Sequence, residues 1–142
     1  MPFLTVGDPD PETTATLVGA CARAGAAVVE LGFPYSDPIA DGPTIQNSYT
    51  RTLAHRLRLS NVFDVVRSAR SQTHIPLVGM VSYSLIYRWG LERFVKEAAG
   101  SGLDGLIAPD LPLPLARQNP WKRQSRSSGK PVPPPAGRRG SR

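Results

Sequence analysis

The chain has 142 residues, is 40% hydrophobic and 20% charged, and carries a net charge of +6. That composition fits one ordinary soluble domain, and no apolar run approaches the roughly 18 residues of a membrane span. The charge does not mark a nucleic-acid-binding face: residues 117–142 hold eight of the 17 Lys and Arg and none of the 11 Asp and Glu, which leaves residues 1–116 with nine basic and eleven acidic groups.

"FLTV" (Phe3–Val6) reads as a first strand, ended by Gly7-Asp8-Pro9. Asp10 has the position of a helix N-cap, with Pro11 as the first helical residue and Glu12 at the positive end of the dipole. Leu17, Val18, Cys21 and Ala22 recur at helical spacing, and Gly25 is the stop. Ala27–Leu31 is a second strand bounded by Gly32, and 44–56 a second helix. Ser60 is expected to cap a third helix carrying Val62, Val65, Val66 and Ala69 at i, i+3, i+4 and i+7. Pro76–Tyr83 reads as a third strand. Leu91, Phe94, Val95 and Ala98 form another helical stripe followed by Gly100, "SGLDGLIAP" places a Gly just past that helix, and Gly105–Asp110 is a fourth strand.

Repeated strand–helix units imply parallel strands joined by right-handed crossovers. Strands this apolar are covered on both faces, so the class is α/β, either an open sheet or a barrel. In both, function sits at the C-terminal ends of the strands. Periodicity stops near Ala116. The remainder, 117–142, is dominated by Arg, Pro, Ser and Gly and cannot bury enough surface to offset its ordering entropy; it is expected to be a disordered tail.

The stretch "VVELGFPYSDPIADGPTIQ" concentrates the chemistry. Glu30 interrupts an apolar strand, and no basic residue lies between Arg23 and Arg51. Burial of a carboxylate without a cation favours its protonated form, which suits general acid–base work. Asp41 lies eleven residues on, across a Pro- and Gly-containing loop. Two carboxylates in different environments can divide acid and base roles. Glycoside cleavage, isomerisation and aldol-type cleavage all remain open on this reasoning. The plainer roles are capping a neighbouring helix or pairing with an Arg for Glu30, an Asx-turn for Asp37 before Pro38, and a turn position for Asp41 before Gly42.

The same stretch, with its Glu-Leu-Gly, Ser-Asp-Pro, Ala-Asp-Gly and Pro-Thr-Ile-Gln in ungapped order, resembles the signature of the tryptophan synthase alpha chain family. "PFLTVGDPD", "GMVSYSLIYRWGLERF" and "GLIAPDLPLP" resemble that family's other strand regions in the same order. The likeness covers about residues 2–116. It implies a (β/α)8 TIM barrel, of which about the first four βα units are represented here. It also implies cleavage of indole-3-glycerol phosphate to indole and glyceraldehyde 3-phosphate, a lyase step of tryptophan biosynthesis. By motif position Glu30 and Asp41 are the catalytic acids, Phe3 and Tyr83 wall the indole pocket, and Pro34 and Asp37 belong to a loop that docks on the beta chain. The resemblance implies no cofactor and no metal in this chain; pyridoxal phosphate belongs to the beta-chain partner, in an alpha2beta2 complex.

A barrel of this class needs about 250 residues. The family's later glycine-rich loops, which hold the substrate phosphate, have no counterpart here, nor does a helix before the first strand. The chain alone is therefore expected to be poorly stable or self-associating, and weakly active or inactive. The abrupt change of composition suggests a truncated gene or a frame shift. The single cysteine, Cys21, and a start lacking a basic n-region point to the cytoplasm. Two alternatives compete: an inactive fragment whose basic tail, with Pro131–Pro134, binds nucleic acid or a protein, and a related sugar-phosphate isomerase barrel.

Overall fold

A computed structural model describes residues 1–38 and 41–112. Nine elements follow in chain order: β1 (Phe3–Thr5), α1 (Pro11–Arg23), β2 (Val29–Gly32), α2 (Pro43–Ala54), α3 (Leu59–Ser71), β3 (Leu77–Met80), α4 (Tyr83–Trp89), α5 (Leu91–Ser101) and β4 (Gly105–Ile107). The strands form one parallel sheet in the order β1-β2-β3-β4. The expected tail over 117–142 lies outside the described residues.

Alternation along the strands sorts the sheet into two faces. Val29, Leu31 and Leu77 point to the helices and are fully buried. They meet Val18 of α1, Phe63 and Val66 of α3, and Phe94 and Ala98 of α5 in one core. At its centre Phe63 stacks on Trp89, 5.2 Å between ring centroids, and meets Phe33 and Phe94 edge-on at 5.6 and 5.4 Å. Phe3, Glu30, Val78 and Met80 share the opposite face through the register Phe3–Glu30–Val78 and Gly32–Met80. All four are only partly buried.

Local chemistry sets most boundaries where the sequence places them. The Asp10 carboxylate accepts hydrogen bonds from the Thr13 N–H and hydroxyl, both at 2.7 Å, and so caps α1. Helix α2 starts one residue early because Gly42 is extended and Pro43 is pre-set for the first turn.

Three expectations need correction. Ser60 does not cap α3: the helix starts at Leu59, and Asn61 Oδ1 accepts from the Arg58 N–H at 3.2 Å. Gly100, after the apolar stripe, lies inside α5, and the Gly of "SGLDGLIAP" is the one past its end, as expected. The helix continues to Ser101 and stops at Gly102, the residue with φ +96°, where the Arg70 side chain occupies the space a Cβ would need. The third strand ends at Met80 rather than Tyr83, because Ser82 turns the chain into α4 by accepting from the Ser84 N–H. The apolar run that looked like strand is thus split. The fourth strand ends at Ile107, and Asp110 serves instead as an acceptor for α4: the Ser82 hydroxyl and the Tyr83 N–H donate to it at 2.8 and 2.7 Å.

Candidate active site

The C-terminal ends of β2, β3 and β4 open onto a cleft of ≈ 160 Å³. Phe33, Asp37, Asp41, Tyr49, Ser82 and Asp110 are among its walls. Asp41 reaches it from the turn that starts α2. That turn is held by the Gln46 side-chain amide, which donates to the Asp41 carbonyl at 2.8 Å and the Pro38 carbonyl at 3.1 Å. The Asp41 N–H in turn donates to the Pro38 carbonyl at 3.2 Å. A helix whose first turn clamps the preceding loop fixes where that loop presents its acid.

Glu30 comes from the inner face of β2. It is half-buried, not enclosed as its apolar neighbours suggested, because Val29 and Leu31 face the core helices α1, α3 and α5 while Glu30 faces the opposite side of the sheet. Among the described residues no ion pair engages it or Asp41. Tyr49 of α2 is 3% exposed and lines the same cleft as Asp41. Burial first, then the charges of Asp41 and Glu30, push the Tyr49 phenol above its ordinary range.

Gly32 lets two aromatic side chains close on the strand. A Cβ there would stand 2.8 Å from Phe3 Cε2 and 2.9 Å from the Tyr49 hydroxyl, so the Phe3 ring and the phenol lie directly on the Gly32 backbone. Phe3 also lines a second cleft, ≈ 300 Å³, with Thr5, Asp8, Ser48 and Arg51. There Asp8 binds Ser48 and takes two hydrogen bonds from Arg51, at 3.0 and 2.7 Å. The Arg51 guanidinium holds the Asp8 carboxyl below the usual carboxylate range against the opposing effect of burial, and Ser48 adds to the lowering.

The remaining anticipated residues are spread around this centre. Tyr83 opens α4 and packs against the core with its ring 6.2 Å from that of Tyr87; neither it nor Phe3 is a wall of the Asp41 cleft. Pro34 is buried, whereas Asp37 is exposed and accepts from the Ser36 hydroxyl at 2.9 Å. Gln46 and Tyr49 were not anticipated. Gln46 is the last residue of the Pro-Thr-Ile-Gln motif, and Tyr49 follows at i+3 on the same helix. Among the described residues no group of three or more His, Cys, Asp or Glu could hold a metal ion. Among the described residues no helix is long and apolar enough to cross a membrane.

Comparison with known proteins agrees with this architecture. The family model "Tryptophan synthase alpha chain" matches residues 1–129. The alpha chain of Caldanaerobacter subterraneus subsp. tengcongensis is 48% identical over 111 residues, 78% of this chain and 42% of that protein. That of Clostridium kluyveri is 48% identical over 113 residues, 80% and 43%. A mutant alpha-subunit structure from Pyrococcus furiosus superposes with a TM-score of 0.80 at 41% identity, covering 90% of this chain and 51% of that one. The tryptophan synthase complex of the same organism gives 0.80, 41%, 90% and 52%. The chain thus spans less than half the length of these curated relatives, and its four-stranded sheet corresponds to about half of a TIM barrel. On a family match that runs through nearly the whole sequence, and on a fold shared with solved members, this chain belongs to the tryptophan synthase alpha chain family.

Proposed function

We propose that the chain carries the acid–base half of an indole-3-glycerol phosphate lyase site, with Glu30 and Asp41 as its catalytic residues. The observation that supports this reading is that Asp41 lines the cleft at the C-terminal ends of the strands, while Glu30 stands on the inner face of β2 two residues before Gly32, against which Tyr49, another wall of that cleft, lies. The reaction needs a proton delivered to indole C3, which leaves a cationic ring whose N–H is a strong donor. It then needs a proton removed from the glycerol hydroxyl beside the breaking bond. The oxygen's electron pair forms the aldehyde, the carbon–carbon bond breaks, and its electrons return to the ring as indole. Glu30 moves both protons, and Asp41 accepts the ring N–H and steadies the positive charge.

Phe3, pressed on Gly32 beside Tyr49, supplies apolar surface to the indole. Tyr83 contributes only by closing the β3 side. The loop carrying exposed Ser36 and Asp37 offers the surface to a tryptophan synthase beta chain, which brings pyridoxal phosphate and consumes the indole; buried Pro34 shapes that loop from within. This chain works without a cofactor of its own, in the cytoplasm.

The test is indole release from indole-3-glycerol phosphate by the purified chain, alone and with a beta chain added. Glu30→Gln is expected to lower the rate by about 10²–10⁴, and Asp41→Asn by about 10². A measurable rate indifferent to both substitutions refutes the assignment.

A further inference from the structure

We propose that two copies of this chain close one eight-stranded barrel about a two-fold axis parallel to the strands, with β4 of each copy paired in parallel to β1 of the other. The inference goes beyond the function proposed above and does not depend on it. It starts from the two ends of the sheet. Among the described residues β1 is paired to β2 alone and β4 to β3 alone. The Glu30 N–H donates to the Pro2 carbonyl, and the Val6 N–H to the Gly32 carbonyl, both at 2.9 Å. Main-chain groups alternate sides along a strand, so the N–H groups of Phe3 and Thr5 point away from β2. An edge of this kind is a template for another strand.

Exposed apolar surface lies at the same two ends. Among the described residues five large hydrophobic side chains are exposed: Met1, Leu17, Tyr87, Leu91 and Ile107. Met1 precedes β1 and Leu17 is on α1, whereas Leu91 is on α5 and Ile107 on β4. Helices α1 and α5 both pack on α3 and are the outer members of the helix layer. Four of the five therefore mark the first and last strand–helix units. Beside β1 lies the ≈ 300 Å³ cleft with Phe3, Leu4, Leu17 and Ile45 among its walls. A strand bearing an exposed isoleucine offers that edge both a main-chain partner and apolar surface.

Direction and curvature select a second copy. A two-fold axis along the strands keeps all eight parallel and brings each β4 to the other copy's β1, so both ends of both sheets are paired at once. The sheet has the curve that this needs, because it superposes at a TM-score of 0.80 on a solved family member of which it covers 51%. Half a turn per copy closes after two copies; a flatter sheet would continue as an open ribbon. The inner faces then meet. Phe3, Glu30, Val78 and Gly105 form one row across that face, and Thr5, Gly32, Met80 and Ile107 the next. The partner's rows enclose Glu30, which one chain leaves half-buried.

Sedimentation of the full 142-residue chain gives the first test. A monomer–dimer equilibrium is expected. A chain that stays monomeric overturns the proposal, and so does a ladder of growing oligomers, the mark of an open ribbon. Amide hydrogen exchange then locates the joint. The N–H groups of Phe3 and Thr5 should exchange about three-fold more slowly for each roughly ten-fold rise in chain concentration, because the free fraction of a dimer falls as the square root. Exchange at these two amides that ignores concentration overturns the pairing, since the edge is then bare or covered within one chain.

Two substitutions cut the joint from either side. Thr5→Pro removes an N–H that β2 does not use. Ile107→Lys puts a charge on the other edge, where the side chain is already exposed. Each should keep the circular dichroism of the parent and yield a monomer, because every joint needs one intact edge of each kind. A folded variant of either kind that still dimerises points to stacked faces or to a joint between like edges, and overturns the proposal. Where a variant unfolds, the exchange measurement on the parent chain decides. None of these readouts needs turnover: a closed pair that releases no indole removes the proposed function and leaves the assembly standing, and an active monomer does the reverse.

Discussion

The two faces of the sheet are built to different rules. The outer face is closed: Val29, Leu31 and Leu77 are at most 1% exposed beneath α1, α3 and α5, and the rings of Phe33, Phe63, Trp89 and Phe94 interlock around them. The inner face carries Phe3, Glu30, Val78 and Met80, and every one stays partly open. Ile107 at the end of β4 is 38% exposed. The outer face supplies the burial that holds the sheet together. The inner face holds the acids, and in the longer relatives it faces a barrel interior. Stability and chemistry are thus separated by a single pleat, and one residue of register would exchange them.

The sharpest way to break that comparison is to hollow each face in turn. Phe63→Ala removes the ring that touches Phe33, Trp89 and Phe94 and is 0% exposed. It should cost about 3–5 kcal/mol, enough to unfold a marginal domain. Met80→Ala on the inner face of a single chain should cost under about 1 kcal/mol, since a half-open side chain leaves no sealed cavity. Urea denaturation followed by circular dichroism, in solution dilute enough to separate copies, measures both. Equal losses there would show that the inner face is packed after all, against another segment of the same chain.

A smaller effect is expected where the faces meet the helix that bears Tyr49. In Gly32→Ala the new methyl must displace Phe3 or Tyr49, because both already lie on the Gly32 backbone. Overpacking of this kind costs about 1–3 kcal/mol. The shift should also open the buried Tyr49 phenol to water, so that it ionises at lower pH as stability falls. A variant as stable as the parent, with Tyr49 titrating unchanged, would mean that the Gly32 contact is loose.

These asymmetries explain what could be read from the sequence. The outer face was legible because its burial leaves a periodic trace: Val62, Val65, Val66 and Ala69 in α3, and Phe94, Val95 and Ala98 in α5. Asp10 was legible as a cap because capping is local chemistry. Helix α4 was not. Its seven residues are too few to show a helical period, and its start depends on Asp110, which is 28 residues from Ser82. Glu30 and Asp41 stood out as charges in an apolar, cation-free stretch, but nothing in the spacing reveals that a buried tyrosine on the next helix lies over Gly32. That contact depends on the bare backbone of Gly32 and on the angle at which α2 leaves the loop.

That angle brings in the last and smallest test. Asp8, after β1, binds Ser48 and Arg51 of α2 and so pins the helix that presents Tyr49. Its carboxyl is held below the ordinary value of 3.8, chiefly by the Arg51 hydrogen bonds, so folding favours the ionised form. The resulting stability is complete above the unfolded-state value, near pH 4, and is lost as pH falls through the lower folded-state value. Arg51 is well exposed, and water screens the pair, so the gain is small, about 1 kcal/mol or less. Asp8→Asn should therefore lower Tm by a few degrees at pH 6. The gap between variant and parent should narrow as pH drops below 4, because the parent loses what the variant never had. A gap that stays constant down to pH 2.5 would show that the Asp8 charge does not hold α2. The helix, and Tyr49 with it, would then be positioned by the buried contacts of Ser48 and Thr52 alone.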